Sequence, residues 1–286
     1  MKKILITGAN SYIGKSFNSF MQQFPDYQVD SVSMHDGEWK EKDFIGYDII
    51  FHTAGIAHKK ETAVNAYFYY EVNRDLTIDV AAKAKASGAK QFIFLSTMSV
   101  YGMSTGVINK HTKTSPKSNY GKSKLEAEEK LREIEDGTFK ICILRPPMVY
   151  GKDCRGNFQS IVKLVKRLSY FPRVSNQRSM IYIDNLCSFL KLAVEKELAG
   201  IYFPQNKEYV RTDDMAVIIA EKLGKKLYLS YLLGKCVWVL SKFINKASKA
   251  FGTLIYEGTE DFNFNYCNIG FEDSIKNSIW QKKDIL

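Results

Sequence analysis

Short apolar runs alternate with helix-like stretches through the first 150 residues, and no other feature constrains the fold as strongly. The runs are KILIT (3–7), YDIIFHTAG (47–55), KQFIFLST (90–97) and FKICILRPP (139–147), joined by the strand-like YQVDSVS (27–33). Between them lie helical patterns. In YIGKSFNSFMQQF (12–24), Ile13, Phe17, Phe20 and Met21 share a face; residues 64–87 form a long helix closed by Gly88. NYGKSKLEAEEKLREIE (119–135) is rich in good helix formers and i,i+4 charge pairs. Residues 33–47 leave room only for an abbreviated crossover helix. Strands that alternate with helices predict an α/β chain with a parallel sheet covered on both faces, which binds ligands at the carboxyl ends of its strands.

After about residue 150 the alternation loosens. NFQSIVKLVKRL (157–168) is helical, RSMIYIDNLCSFLKLAVEK (178–196) reads as a strand turning into a helix, and Asp213 and Asp214 open another helix that runs to Leu223. No Pro/Gly/Ser-rich linker separates the parts. The expected division is a first domain over 1–150, with 178–196 packing back on it, and a smaller lobe built mainly from 151–286.

The formal charge of +10 comes from lysines scattered among acidic neighbours, with no basic stripe interleaved with aromatics, so nucleic acid is not an expected partner. Five isolated cysteines suggest neither a zinc site nor a disulfide framework; reduced thiols in a cytoplasmic protein fit them. The opening MKKILIT has too short an apolar run for a secretory signal. The longest apolar stretch, LYLSYLLGKCVWVLSKF, is interrupted by Gly234 and Lys235. The segment around it, 230–256, mixes Trp238, Phe243 and Phe251 with Lys235, Lys242, Lys246 and Lys249. That pattern suits either a basic amphipathic helix in weak peripheral contact with a membrane or a lid or core helix of the second lobe. The latter is favoured, and burial of Trp238 separates the two.

The first apolar run leads into GANSYIG (8–14). Gly8 allows a sharp turn, Gly14 lets helix and strand pack closely, and helix N-terminal amides between them suit a pyrophosphate. Ser11 stands where such a loop more often carries glycine, but it is small and its hydroxyl can donate to a phosphate oxygen. A glycine turn alone is common; the strand before and helix after favour the anion site over an ordinary surface turn.

A second constellation joins it. Tyr120 and Lys124 are four apart on one helix face, and Ser96 and Thr97 end a predicted strand. A solvated helix face explains most isolated YxxxK pairs. Here the strand end opens toward the same edge of the sheet as the glycine turn. Reduction of a ketone by hydride leaves an alkoxide that must take a proton. A phenol with an ammonium beside it can supply one near neutral pH, and a hydroxyl can hold the substrate oxygen.

TGANSYIG, HTAG, STMSVYG and YGKSK, in this order and spacing, resemble the extended short-chain dehydrogenase/reductase (NAD-dependent epimerase/dehydratase) family across nearly the whole chain. The resemblance implies a Rossmann doubly wound parallel sheet with a smaller C-terminal substrate-binding lobe. It implies that Gly8, Asn10, Ser11, Tyr12, Ile13 and Gly14 surround the pyrophosphate, and that Ala54, Gly55, Asn73 and Pro147 line the coenzyme. Tyr120 becomes the acid/base, Lys124 its activator and a ribose ligand, and Thr97 the catalytic hydroxyl; Ser96 is a strand-end neighbour. A homodimer through helices 64–87 and 119–135 is also implied.

LRPPMVYGKDCRGNF and NQRSMIYIDNL resemble the sugar-nucleotide segments of the family, with Met148, Asn157 and Phe158 at the substrate and Arg178 on its diphosphate. An exposed strand-edge charge is the second reading for Arg178, and Asp184 is expected to cap a helix. These segments resemble most closely the capsule and O-antigen reductases that act on UDP-2-acetamido-2,6-dideoxy-4-ketohexoses, giving UDP-N-acetyl-fucosamine or UDP-N-acetyl-quinovosamine. A UDP-hexose or UDP-N-acetylhexosamine 4-epimerase with tightly bound NAD is the alternative; Met148 stands where 4-epimerases tend to carry a polar residue. A dehydratase fits less well, because Met98 follows Thr97 where a Glu-bearing triplet is expected. Retention of Thr97, Tyr120 and Lys124 together argues against a non-catalytic sensor. Asp30 falls mid-strand, whereas Ser33 and His35 follow the strand end and tolerate a 2′-phosphate, which favours NADP(H) over NAD(H).

Overall fold

A computed structural model describes residues 1–35, 37–57, 61–241, 243–257 and 264–279. In chain order the strands are β1 (Lys2–Thr7), β2 (Tyr27–Val32), β3 (Ile49–His52), β4 (Gln91–Leu95), β5 (Gly106–Ile108), β6 (Lys140–Leu144), β7 (Met148–Tyr150), β8 (Tyr170–Pro172), β9 (Met180–Tyr182), β10 (Gly200–Tyr202), β11 (Tyr228–Ser230) and β12 (Leu254–Tyr256). The helices are α1 (Tyr12–Met21), α2 (Glu38–Glu41), α3 (Ala66–Tyr70), α4 (Leu76–Ala86), α5 (Asn119–Ile134), α6 (Asn157–Arg167), α7 (Ile183–Glu195), α8 (Thr212–Lys222), α9 (Tyr231–Ser241), α10 (Asn245–Phe251) and α11 (Phe271–Asn277).

Two compact units emerge. One contains Met1–Gly102, Lys113–Pro146 and Leu186–Pro204; the other contains Met103–Thr112, Pro147–Asn185 and the chain from Gln205 onward. The chain crosses between them because two late or early pieces complete sheets elsewhere: β10 extends the sheet of the first unit, and β5 pairs with β12 in the second.

The first unit is built on a six-stranded parallel sheet in the order β10-β6-β4-β3-β1-β2. The apolar runs supply its interior: Leu5, Ile50, Phe92, Phe94 and Leu144 have no exposed surface. Strands buried on both faces need no polar alternation, which is why they read as continuous apolar segments. β2 is one edge strand and β10 the other; in β2 only Val32 is buried, and the polar letters of YQVDSV are tolerated there. The crossover after β2 shrinks to the one-turn α2, pinned by the buried Trp39. β2 lies on one side of β1 and β3 on the other, so the winding reverses between the carboxyl ends of β1 and β3. Such a switch point leaves a crevice for ligand.

Helix α1 buries Phe17 and Met21, with Ile13 and Phe20 half-buried, and ends at Met21. The expected helix over 64–87 is interrupted: a π-helical turn, Glu71–Asp75, separates α3 from α4. In the second unit three parallel strand pairs, β7 with β9, β8 with β11 and β5 with β12, are accompanied by α6, α8 and α11. Tyr150 is fully buried there; its hydroxyl meets Ser274 Oγ at 2.6 Å and accepts from Asn206 Nδ2 at 2.9 Å. Among the described residues no helix is long and apolar enough to cross a membrane.

Candidate active site

The glycine turn closes the carboxyl end of β1 against that of β3. Gly8 has φ +117°, a conformation L side chains rarely adopt, and a Cβ there would lie 2.7 Å from Thr53 Oγ1 and 2.8 Å from Ala54 N. A Cβ on Gly14 would stand 2.6 Å from Ser11 Oγ. Ser11 is the N-cap of α1: its Oγ accepts from Gly14 N at 2.9 Å and meets Thr53 Oγ1 at 2.6 Å. Serine in place of glycine therefore fastens the helix start to β3. The cradle of close-packed backbone at a switch point, opening onto the first turn of α1, fits a dinucleotide phosphate. Asn10 is exposed, while Tyr12 and Ile13 in the first helical turn are half-buried. At the end of β2, Ser33 Oγ accepts from His35 N at 3.2 Å, and His35 is exposed. Asp30 is indeed mid-strand, and its carboxylate accepts from the Tyr47 hydroxyl at 2.8 Å.

Thr97, Tyr120 and Lys124 belong to this same unit, Thr97 just past the end of β4 and the other two in the first turns of α5. Thr97 caps a 3₁₀ turn, Met98–Tyr101; its Oγ1 accepts from Ser99 N at 3.1 Å, and its side chain also hydrogen-bonds the Tyr120 phenol. The N-terminus of α5 is held twice. Ser118 Oγ accepts from Gly121 N at 3.1 Å, and the Glu61 carboxylate accepts from the amides of Asn119 and Tyr120 at 2.9 and 3.2 Å. One turn on, the buried Lys124 donates Nζ to the Leu95 carbonyl at 2.9 Å and lies 4.5 Å from the centre of the Phe94 ring. A Cβ on Gly55 would be 3.2 Å from that Nζ and 2.9 Å from Asn73 Oδ1, so the β3 turn, the π turn and α5 meet here.

The electrostatics depart from the sequence expectation. Burial pushes the Lys124 ammonium down to about 7, opposed in part by Glu128. Tyr120 is raised above the ordinary phenol range by burial, with the Thr97 hydrogen bond acting the other way and Tyr69 adding to the rise. Lys124 was expected to lower the phenol; in the protein alone, desolvation of the phenolate outweighs any such help.

Sequence reasoning missed two buried networks that hold these groups. Glu128, fully buried four residues after Lys124, takes the Ser96 hydroxyl and a fork of guanidinium bonds from Arg145, whose Nε lies 3.0 and 3.1 Å from the two carboxylate oxygens. Arg145 Nη1 donates to Tyr101 OH at 2.8 Å. The pair thus grips the Thr97 turn on both sides. The signal was available: an arginine ending the apolar strand FKICIL, and a glutamate on the Lys124 face of α5.

The second network starts at His52, fully buried at the end of β3. Thr77 donates to the Asn73 carbonyl at 2.9 Å, so it accepts from His52 Nε2 at 3.1 Å, and Nδ1 accepts from Thr7 Oγ1 at 2.8 Å. Burial pushes the imidazole down to about 3, with Lys124 acting in the same direction, which keeps this tautomer neutral. The Asn73 carboxamide accepts from Ile56 N at 2.8 Å and donates to Ser123 Oγ at 3.1 Å; Ser123 in turn donates to the Tyr120 carbonyl at 3.1 Å. Asn73 sits in the π turn, where the widened helix lets an amide reach both neighbours; such turns are frequent at functional sites.

The other candidates lie in the second unit. Pro147 is buried, Met148 half-buried in β7, and Asn157 exposed at the first turn of α6. Phe158 is fully buried with its ring 5.4 Å from that of Tyr150, a core position. Arg178 donates Nη1 to the Gly252 carbonyl at 2.8 Å, and burial lowers its guanidinium to about 10. No carboxylate among the described residues pairs with it. A desolvated guanidinium held only by a carbonyl suits an anionic ligand. Among the described residues no group of histidine, cysteine and acidic side chains is arranged to hold a metal.

Comparison with known proteins agrees with this geometry. Residues 4–203 match the NAD dependent epimerase/dehydratase family. The UDP-glucose 4-epimerase of Vibrio cholerae is 29% identical over 264 residues, 84% of this chain and 78% of its own. The N-acetyl-α-D-glucosaminyl-diphospho-ditrans,octacis-undecaprenol 4-epimerase of Escherichia coli O157:H7 is 26% identical over 270 residues, 85% of this chain and 81% of its own. The structure of the UDP-glucuronic acid 4-epimerase of Bacillus cereus, in complex with NAD, superposes with a TM-score of 0.75, 20% identity and coverage of 96% and 95% of the two chains. Its NAD complex belongs to the same fold as the parallel sheet and glycine turn described above. The chain is a member of the NAD-dependent epimerase/dehydratase family, with a Rossmann-type fold and an NAD(P)-binding site.

Proposed function

We propose that the chain interconverts C4 epimers of a UDP-hexose or UDP-N-acetylhexosamine, with Tyr120 moving the proton at the C4 oxygen. The observation that carries this reading is the Thr97–Tyr120 hydrogen bond one helical turn before Lys124, whose Nζ reaches the Gly55 turn. When bound, the nicotinamide would accept hydride from C4 and return it. Tyr120 would take the C4 hydroxyl proton as hydride leaves and give it back afterwards. Thr97 would hold the oxygen, and Lys124 in its charged form would favour the phenolate. Gly8, Ser11, Gly14 and the first turn of α1 would bind the pyrophosphate, with Ala54, Gly55 and Asn73 along the dinucleotide. Arg178 would bind the sugar diphosphate, and Met148 and Asn157 the sugar side. Both curated relatives named above are 4-epimerases, which supports this ordering of the two readings.

The second reading is reduction of the C4 ketone of a UDP-2-acetamido-2,6-dideoxy-4-ketohexose, favoured by the apolar Met148 in β7. Ser33 and His35 after β2 support acceptance of NADP(H) as well as NAD(H), since neither repels a 2′-phosphate; Asp36, next in the chain, lies outside the described residues. Incubating the purified chain with UDP-N-acetylglucosamine or UDP-glucose and NAD, then separating the products, tests the proposal. The 4-epimer is the expected product. Oxidation of NADPH by the 4-keto sugar, with no epimer formed, assigns the second reading instead.

A further inference from the structure

The segment around α9, for which the sequence favours a lid or core helix over a membrane-surface helix, does not bury Trp238 as that reading requires. Trp238 is 62% exposed and Phe243 82%. Tyr231, Leu232, Val239 and Ile244 are exposed as well. Within α9 only Gly234 is buried, where the helix closely approaches the chain after β8: a Cβ there would stand 2.1 Å from the Arg173 carbonyl oxygen. The helix seats on β8 through Gly234, while Tyr231, Leu232, Trp238, Val239 and Leu240 keep large exposed apolar surfaces. An apolar helix is ordinarily buried in a core, and a contiguous exposed run of this kind marks an interaction site.

Charge identifies the occupant. Residues 222–256 hold seven lysines and no aspartate or glutamate. Lys235 in α9 and Lys249 in α10 are exposed, and the exposed Arg173 lies with its guanidinium 4.7 Å from the centre of the Tyr231 ring. Lys242 and the side chain of Lys246 lie outside what is described. A second copy docked face to face would set lysine against lysine with no acid from this segment to pair with it. Anionic phospholipid supplies both missing complements, an apolar layer for tryptophan and phenylalanine and negative headgroups for lysine.

We propose that α9 and the turn after it lie on an anionic membrane surface, inserting Trp238 and Phe243 at the headgroup level while Lys235 and Lys249 contact lipid phosphates. The contact is peripheral, since α9 is far too short to span a bilayer. It stands independently of which C4 reaction the chain performs.

The test uses the whole chain and vesicles of equimolar phosphatidylcholine and phosphatidylglycerol, with pure phosphatidylcholine as the control. Cosedimentation at low ionic strength is expected with the anionic vesicles and at least tenfold weaker with the neutral ones. Trp238→Glu with Phe243→Glu should weaken anionic-vesicle binding at least tenfold. Lys235→Glu or Lys249→Glu should each cost about fivefold and flatten the salt dependence. Unchanged melting temperature in these surface variants shows that they fold. Three results overturn the proposal: a folded chain that stays in the supernatant, equal binding to neutral vesicles, or a solution dimer that the double glutamate variant converts to monomer. The last would assign the face to a second copy.

Discussion

At the scale of single residues, the site is a set of polar groups held dry. Lys124 is the clearest case, with its ammonium bonded to one carbonyl and burial pushing it down to about 7. In the unfolded chain the same group titrates in the ordinary lysine range, so between these values the unfolded state binds more protons than the folded one. Stability of the coenzyme-free protein therefore gains a contribution that increases as pH rises from 7 toward that range. Lys124→Met should remove this slope, as read from urea unfolding at a series of pH values; an unchanged slope would mean that Lys124 is not desolvated in the free protein. Arg178 is the second case. Its guanidinium donates to a carbonyl, and under the proposed function it binds the diphosphate. Arg178→Ala should raise KM for the UDP-sugar about 10- to 100-fold while leaving coenzyme affinity within a few-fold. Equal loss for both ligands would place the arginine elsewhere in the mechanism.

At the scale of elements, the strands and helices of the first unit follow from apolar pattern and caps. The runs KILIT, IIFH, QFIFL and KICIL became central strands because each is buried on both faces, and YQVDSV became an edge because it is not. Pattern alone could not show the π turn at Glu71–Asp75, since it goes with tertiary bonds of its Asn73 to residues 17 and 50 positions away. Nor could it show the Glu128–Arg145 pair, a tertiary contact between α5 and the end of β6. That pair ties helix, strand and Thr97 turn together, with both side chains nearly inaccessible. Glu128→Gln leaves the Arg145 charge uncompensated and should cost about 3–5 kcal/mol in equilibrium unfolding. A loss below 1 kcal/mol would mean that water or another acid reaches the arginine. The α9 helix shows the reverse limit. Its letters suit a core as well as a surface, and tertiary contacts such as the close seat of Gly234 on Arg173, which local pattern does not encode, set which sides it turns outward.

At the scale of the whole molecule, the parallel sheet and its switch point were legible, because three of the four motifs follow the ends of β1, β3 and β4 and the fourth opens α5. The division of the chain into units was less so. β10 returns to the first sheet and β5 to the second unit through pairings between residues far apart in sequence, which local periodicity does not encode. The substrate candidates in the second unit are of unequal kind: Arg178 is a desolvated cation, whereas Phe158 is core. The account's central claim is that the Tyr120 phenol moves the proton at C4. Its most direct test is the initial rate of UDP-sugar C4 interconversion by wild type and Tyr120→Phe, with bound coenzyme measured in the same samples. The account predicts a loss of about 10²- to 10⁴-fold with coenzyme content unchanged; a variant that turns over as fast as wild type would contradict it.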